Sequence, residues 1–283
     1  MRRGPRVRLV ASPAPQRSEY VVIELRREGE RVLRIGHRGA AALAPENTLD
    51  SFRAAIGVGV DLIEFDVLDL RRGPLILAHS DHLEEVSHGK GHGRVRGQSL
   101  EALREVAPNV PTLDDALAFF VDEAPDTGLH IDLKTKDRLD EVAAAIMRHG
   151  LEERTVISGF HIPSLRAFAR AAPLVRIGIT YPEDRLSISR QPYLWPIVSL
   201  GLASMKASVP LRLPGLARRA GATAVMLERR LVSEASVERA HAAGLPVLAW
   251  TVDDASDLAR VVAAGVDGVI TNDPRIFLAT LSP

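Results

Sequence analysis

The chain has 283 residues, of which 46% are hydrophobic, with a formal net charge of zero and no cysteine. A chain of this length and composition can bury a sizeable core, and its balanced charge argues against a general binder of nucleic acid or anionic membranes. The absence of cysteine excludes disulfides and thiolate chemistry, and no run approaches the roughly 20 apolar residues that span a bilayer.

In chain order, short β-branched or apolar runs alternate with stretches whose apolar residues recur every three or four positions. The eight candidate strands lie at 32–36, 61–67, 128–134, 154–160, 174–180, 222–228, 245–252 and 266–271. Asn47 or Thr48 is placed to begin one helix, while Gly150, Gly244 and Gly265 are placed to end others. Alternating units of this kind indicate a parallel sheet.

Eight such units predict an α/β protein with a closed (β/α)8 (TIM) barrel. An open doubly wound sheet is the alternative, but it usually has a glycine-rich phosphate loop after its first strand, and this chain has none there. We expect residues 32–283 to form the barrel domain and residues 1–31 to be an N-terminal extension that includes a hairpin. The basic N-terminus has too short an apolar part for a signal peptide, which favours a cytoplasmic location.

One interval is too long for a simple strand–helix unit. More than forty residues separate the second candidate strand from the helix that begins at Thr112. The run PLILAH after Arg71-Arg72-Gly73 is typical of a returning strand, so we predict a β-hairpin after strand two. A turn at 71–72 would set Glu64 opposite His79 and Asp66 opposite Leu77. The hairpin would thereby bring a distant histidine to a carboxylate.

Charged residues stand at the ends of the first three barrel strands. They are His37 and Arg38 after strand one, Glu64 and Asp66 on strand two, and Asp132 and Lys134 on strand three. Residues two apart share one face of a strand, and barrel enzymes carry their chemistry at the carboxyl ends of their strands. A lone pair of this kind is more often a solvated face, but its repetition on neighbouring strands favours a site.

The residue types indicate the chemistry of that site. Three carboxylates without a thiolate suit a hard divalent cation, Mg²⁺ or Ca²⁺. His37 and His79 have similar intrinsic pKa values and suit acid and base roles in a displacement. Arg38 and Lys134 supply positive charge for an anionic substrate group such as a phosphate.

The joint pattern HRG…PENT…EFDV…PLILAH…PTLDDAL…IDLK…WTVDD…GVDGVITNDP, over about residues 33–281, resembles the glycerophosphodiester phosphodiesterase family. That family is similar in fold to phospholipase C-type barrels. The resemblance implies cleavage of small glycerophosphodiesters to glycerol 3-phosphate and an alcohol with a divalent cation.

The resemblance also implies roles for particular residues. His37 and His79 would be the acid–base pair, and Glu64, Asp66 and Asp132 would hold the metal. Arg38 and Lys134 would contact the phosphate, Trp250 would lie near the substrate, and Glu46 would help to build the mouth of the site.

The chain departs from the family pattern at four positions. Ser80 replaces an aspartate after His79, Glu85 replaces an arginine, Asp132 replaces a glutamate, and Gly159 replaces a serine. The first three positions touch the expected metal and phosphate region, so altered metal choice, altered substrate and weakened activity all stay open.

The sequence therefore predicts a metal-dependent phosphodiesterase of lipid and glycerol metabolism. We expect no nucleic-acid partner and no transmembrane segment; transient contact with a lipid surface and the oligomeric state stay open. Two alternatives remain. The first is a lysophospholipase D-type activity towards lipids, for which the apolar segment 192–216 is the relevant feature. The second is a barrel that binds phosphodiesters without turnover, for which the relevant features are the departures at Ser80, Glu85 and Asp132.

Overall fold

The computed structural model describes residues 23–27, 29, 31–183 and 195–280. Most of the predicted N-terminal extension, with the first part of its hairpin, lies outside these residues. Residues 192–194 of the apolar segment also lie outside them, as do the side chains of residues 195–203. The link between the apolar segment 192–216 and an activity towards lipids therefore stays a prediction.

The eight predicted barrel strands are confirmed. They are β1 (Leu33–His37), β2 (Leu62–Asp69), β4 (Gly128–Leu133), β5 (Thr155–Ser158), β6 (Arg176–Tyr181), β7 (Ala224–Glu228), β8 (Val247–Trp250) and β9 (Gly268–Thr271), and a ninth strand, β3 (Leu75–Leu77), follows β2. Neighbouring barrel strands pair in parallel, and β1 pairs with both β9 and β2, which closes the barrel. The fold is a (β/α)8 barrel, as predicted.

Helices connect the barrel strands and cover their outer surface. They are α1 (Leu49–Val58), α2 (Leu83–Val86), α3 (Leu100–Val106), α4 (Leu113–Asp122), α5 (Leu139–Arg148), α6 (Ile162–Ala171), α7 (Trp195–Ala220), α8 (Glu234–Ala242) and α9 (Ala255–Ala263). Thr48 caps α1 and forms a reciprocal capping box with Ser51. Gly150, Gly244 and Gly265 follow the ends of α5, α8 and α9 with positive φ, as expected for helix-terminating glycines.

The β-hairpin after β2 is confirmed, but its predicted register is wrong by one residue. Val67, not Asp66, lies opposite Leu77. The backbone N–H of Leu70 donates to the carbonyl of Pro74, so the turn contains three residues and not two. Helices α2 and α3 follow β3 and pack on a small core of their own around Leu83 and Leu103.

The core has two layers, inside and outside the barrel wall. The outer layer, between strands and helices, includes four packed aromatic rings at Phe52, Phe65, Phe119 and Phe120. The inner cluster consists of Ile23, Leu25, Ile35, Leu62, Val156, Ala224, Met226, Leu248 and Ile270. Ile23 donates its N–H to Glu153, just before β5, so it closes the amino-terminal end of the barrel. The other end is left for polar residues.

Within the described ranges, no helix is both long enough and apolar enough to cross a membrane. Helix α7 is the longest at 26 residues, but it contains Pro210 and Pro214 and carries basic residues in its last turn.

Candidate active site

A cavity of about 160 Å³ opens at the carboxyl ends of the barrel strands. Eight of the nine predicted site residues line it: His37, Arg38, Glu64, Asp66, His79, Asp132, Lys134 and Trp250. The ninth, Glu46, pairs with Arg38 at its edge, with 2.7 Å between Nη1 and Oε2. The structure thus brings together residues that the sequence spreads over more than two hundred positions.

The Gly-His-Arg-Gly motif forms a tight turn at the end of β1. Arg38 and Gly39 both have positive φ, at 51° and 88°. A Cβ on Gly39 would lie 2.3 Å from the hydroxyl oxygen of Ser51, so only glycine fits there. The Arg38 backbone N–H donates to Oε2 of Glu64 at 2.9 Å, and the Ser51 hydroxyl donates to the Arg38 carbonyl. This turn places His37 and Arg38 at the mouth of the barrel.

The Pro-Glu-Asn-Thr element fixes a carboxylate through Asn47. The Asn47 amide donates to Oδ2 of Asp66 at 2.9 Å, and the Asp66 backbone N–H donates to Oδ1 of Asn47 at 3.0 Å. Asn47 is buried, so these bonds are shielded from water. The sequence predicts Asn47 only as a possible helix cap, although its place in the PENT motif is a signal of this further role.

Three buried carboxylates form one acidic group. Ligand oxygens of Glu64, Asp66 and Asp132 all lie within 4.8 Å of one another. Burial and the charges of Asp66 and Asp132 raise the pKa of Glu64 well above its ordinary value. Burial also acts to raise the pKa of Asp66, but Lys134 and Arg38 outweigh it and hold that pKa well below its usual range. A set of three carboxylates that repel one another and offer only oxygen ligands fits a hard divalent cation.

Lys134 and Ser158 hold the Asp132 carboxylate of this group. Nζ of Lys134 lies 2.5 Å from Oδ2 of Asp132 and 3.0 Å from Oδ1 of Asp66. Burial lowers the pKa of Lys134, but the charges of Asp132 and Asp66 exceed that effect and raise it overall, so Lys134 stays charged. The Ser158 hydroxyl donates to Oδ1 of Asp132 at 2.9 Å. Both oxygens of Asp132 are therefore oriented.

His37 is held in one orientation by a chain of two polar residues. Its Nδ1 lies 2.6 Å from Oδ1 of Asn272, and the Asn272 amide donates to Oδ2 of Asp253 at 2.8 Å. Because Asp253 takes the amide hydrogens, Asn272 presents its oxygen, and His37 must donate from Nδ1. Nε2 then carries the lone pair and lies 3.8 Å from Glu64. Burial and the charge of Arg38 lower the pKa of His37 to about 4, so it is neutral near pH 7.

His79 lies at the more open side of the cavity. Its side chain is 28% exposed, against 16% for His37, and Nδ1 lies 3.9 Å from Oε2 of Glu85. Burial lowers the pKa of His79. The positive charge of Arg38 lowers this pKa further, whereas the negative charge of Asp66 acts to raise it. The two histidines therefore differ in access to solvent and in the polar groups beside them.

Several polar residues of the site have no role in the sequence prediction. His130 and Ser158 line the cavity, while Asn272 and Asp253 hold His37 from behind. Asn272 and Asp253 stand in the quoted motifs ITNDP and WTVDD. The signal for His130 was its spacing, two positions before Asp132 on the same face of β4.

A closed (β/α)8 barrel with a polar, charged cavity at the carboxyl ends of its strands has the architecture of a barrel enzyme. The family model for the glycerophosphoryl diester phosphodiesterase family matches residues 37–276. The chain therefore belongs to this family, which confirms the resemblance and the predicted class of enzyme.

Similar proteins span nearly the whole chain. A glycerophosphodiester phosphodiesterase of Caldanaerobacter subterraneus is 27% identical over 264 residues, covering 88% of this chain and 97% of that protein. The crystal structure of the Thermotoga maritima glycerophosphodiester phosphodiesterase has a TM-score of 0.68 at 19% identity, over 88% and 99% of the two chains. An Oleispira antarctica phosphodiesterase, solved with its product sn-glycerol-3-phosphate, has a TM-score of 0.66 at 20% identity, over 89% and 98%. These two structures support the fold.

Proposed function

We propose that this cavity hydrolyses glycerophosphodiesters to glycerol 3-phosphate and an alcohol with a bound divalent cation. The observation that carries the proposal is the convergence of three buried carboxylates, two cationic side chains and two histidines on one cavity. The names of the family and of the Caldanaerobacter relative support the substrate class.

Glu64, Asp66 and Asp132 would hold the cation, either Mg²⁺ or Ca²⁺. The repulsion that raises the pKa of Glu64 supports this assignment, because a divalent cation would relieve it. When bound, such a cation offsets negative charge on a phosphate oxygen.

The cationic side chains are proposed to bind the phosphate group. Arg38 and Lys134 line the cavity and carry full charge against the acidic group. Glu46 holds the Arg38 guanidinium in place at the edge. The ring of Trp250 would pack against the substrate, and it is itself supported by an edge contact with Phe160.

His37 is proposed as the base and His79 as the acid. Nε2 of His37 accepts the proton of a glycerol hydroxyl as that oxygen bonds to phosphorus, and His79 protonates the leaving alcohol as its P–O bond breaks. The resulting cyclic phosphate is opened by water: His79 takes the water proton, and His37 returns its proton to the glycerol oxygen. The solvent-exposed position of His79 suits the side from which an alcohol departs.

Release of glycerol 3-phosphate from glycerophosphocholine tests the proposal. Activity should disappear in excess chelator and return with Mg²⁺ or Ca²⁺, and the metal titration would identify the preferred ion. His37→Ala and His79→Ala should each lower turnover by roughly 10²–10⁴-fold. His149→Ala is the matched control, because His149 pairs with Asp114 on the outer surface. Full activity in chelator, or normal turnover in either variant, would contradict these roles.

The metabolic role, the cellular location and the domain bounds expected from the sequence are part of the same proposal. We assign the enzyme to lipid and glycerol metabolism in the cytoplasm, with residues 32–283 as its catalytic domain and residues 1–31 as an extension. Phosphate binding without product release would favour the non-catalytic alternative, and faster turnover of lysophospholipids would favour the lysophospholipase D-type alternative.

A further inference from the structure

A short segment outside the barrel wall contacts two sides of the cavity mouth. Residues 94–96 lie between α2 and α3, and we call them the bridging segment. Val95, at its centre, is fully buried in the small core that also contains Leu83 and Leu103. Close packing leaves such a residue little freedom to move, so the segment is a firm base for the polar groups on either side of Val95.

The bridging segment holds the loop that carries His79. Asp81, two residues after His79, accepts three hydrogen bonds from it. Oδ1 accepts from the Arg96 backbone N–H at 2.8 Å, Oδ2 accepts from Nη1 of Arg94 at 2.9 Å, and the carbonyl accepts from the Val95 N–H at 3.1 Å. Burial acts to raise the pKa of Asp81, but the hydrogen bonds from Arg96 and Arg94 outweigh it and lower that pKa. A charged carboxylate therefore fixes the loop two residues from His79.

The side chain of Arg96 reaches the other side of the mouth. Its Nη2 lies 2.9 Å from Oδ1 of Asp69, the last residue of β2, and donates to the carbonyl of Lys134 at 3.1 Å. The Lys134 N–H donates to the carbonyl of Val67 at 2.9 Å, so both backbone polar groups of Lys134 are engaged. The Asp69 side chain is only 6% exposed, which shields this ion pair from solvent, unlike a pair on the open surface.

The two ends of this chain of contacts are the proposed acid and a proposed phosphate contact. His79 and Lys134 line one cavity but belong to different parts of the fold, the loop after β3 and the end of β4. Asp81 and Arg96 are not among the described residues that line it. They can therefore act on the reaction only through the residues that they hold. A displacement of about 1 Å at a reacting group can cost about a hundredfold in rate.

We propose that Asp81 and Arg96 are positioning residues, which together fix His79 and Lys134 relative to each other across the mouth of the cavity. This inference rests on the proposed function. The departure from the family pattern after His79 fits this role, because Ser80 stands where an aspartate is expected and Asp81 supplies a carboxylate one position later.

Asp81 is tested by two substitutions and steady-state kinetics. Asp81→Ala removes the acceptor of the Arg96 N–H and frees the loop beside His79, whereas Asp81→Asn keeps a side-chain oxygen for that N–H. With glycerophosphocholine at saturating metal, we expect Asp81→Ala to lower kcat about ten- to hundredfold and to change KM less than about threefold. Asp81→Asn should keep kcat within about threefold of the wild type, because it loses only the ion pair with Arg94, whose side chain is 71% exposed.

Arg96 is tested through the affinity for phosphate. Arg96→Ala removes the contacts to Asp69 and to the Lys134 carbonyl but keeps the backbone N–H that Asp81 accepts. Calorimetric titration of the metal-loaded protein with inorganic phosphate should show about three- to tenfold weaker binding, and KM should rise by a similar factor. Arg96→Lys should recover part of the loss, because an ammonium group can still pair with Asp69.

An ion pair on the outer surface supplies matched controls. Nη2 of Arg148 lies 2.6 Å from Oδ1 of Asp114, and both side chains are more than half exposed. Asp114→Ala and Arg148→Ala remove the same groups as the two alanine variants and should change neither kcat nor phosphate affinity. Urea denaturation of each variant gives its folded fraction, so that kcat and phosphate affinity are compared per folded molecule.

The outcomes separate positioning from the proposed function. Wild-type kcat in folded Asp81→Ala, or wild-type phosphate affinity in folded Arg96→Ala, would overturn the positioning role of that residue. An equal loss of kcat in Asp81→Asn and Asp81→Ala would also overturn it, because the loss would then follow the charge and not the bond to the backbone. Failure of the wild-type protein to release glycerol 3-phosphate with either Mg²⁺ or Ca²⁺ would instead overturn the proposed function, and the positioning role with it.

Discussion

The orientation of His37 can be tested by two substitutions, of which the one farther from the histidine should lower turnover more. Asn272→Leu removes the 2.6 Å contact to Nδ1 of His37 and leaves the ring free to adopt either tautomer. A lost hydrogen bond of about 0.5–1.5 kcal/mol corresponds to a loss of turnover of about two- to tenfold.

Asp253→Asn, which is farther from His37, should lower turnover more than Asn272→Leu does. Asp253 accepts both the backbone N–H and the side-chain amide of Asn272, and its Oδ1 also accepts from Thr271. An asparagine at 253 that keeps its oxygen towards the backbone would present its own NH₂ to the Asn272 amide. Asn272 would then flip and donate to His37, which moves the proton to Nε2 and blocks the base. We expect a loss within the roughly 10²–10⁴-fold range of a missing acid–base residue.

The assay is kcat and KM for glycerophosphocholine at saturating metal, with ¹⁵N NMR of His37 to identify its tautomer. Asp254→Asn is a matched control one residue away, because Asp254 caps α9 and asparagine caps a helix equally well. A smaller loss in Asp253→Asn than in Asn272→Leu, or a change in KM alone, would refute the reasoning.

Three further predictions concern the metal and stability. Asp132→Asn should weaken metal affinity more than it changes stability, while Asp132→Glu should be tolerated or shift the metal preference; activity against metal concentration measures both. Burial lowers the pKa of His130 to about 4, against roughly 6.5 when unfolded, so the unfolded state binds more protons in this window. In chelator, protonation of His130 in the unfolded state should therefore reduce the free energy of unfolding by about 1.4 kcal/mol per pH unit as pH falls from 6.5 to 4. Urea denaturation measures this free energy, and the His130→Asn variant should lack this contribution to its pH dependence. Gly39→Ala should destabilise the fold by roughly 2–4 kcal/mol, because it adds positive-φ strain to a clash with Ser51.

Each of these has an outcome that would contradict it. Unchanged metal dependence in Asp132→Asn would remove Asp132 from the metal site. An identical pH dependence in His130→Asn would show that the histidine is not buried in its neutral form. Gly57→Ala is the control for Gly39, because Gly57 lies in α1 with open space around it, and alanine there should stabilise by up to about 1 kcal/mol.

The barrel was predictable because the apolar residues of its strands and helices recur with a clear local period. In addition, the carboxyl ends of parallel strands lie at the same end of a barrel. That second rule was enough to place His37, Glu64, Asp66, Asp132 and Lys134 at one mouth, where the structure has them. The local pattern did not fix the hairpin register, since Arg71-Arg72-Gly73 is compatible with a two- or three-residue turn. Only the pairing of Leu70 with Pro74 decides between them.

The missed residues depend on contacts that no local pattern records. Asn272 is 235 positions from His37, and it meets that histidine only because β9 pairs with β1 to close the barrel. Ser158 is an ordinary buried strand residue by sequence. Its role follows from the register of β4 and β5, in which it is the partner of Asp132.

The same register bears on the replacement of the family's glutamate by Asp132. Asp66 and Asp132 are direct partners across β2 and β4, so the two carboxylates start side by side. Ser158 orients one oxygen of Asp132 and Lys134 the other, and the acidic group stays within 4.8 Å although the side chain is shorter by one methylene. The departure at Asp132 is therefore compensated within the strands. Ser80 and Glu85, the other two departures, instead lie beside His79, on the side proposed for the leaving alcohol. We therefore expect the chain to differ from its family in which leaving alcohol it prefers and not in its ability to hold a metal.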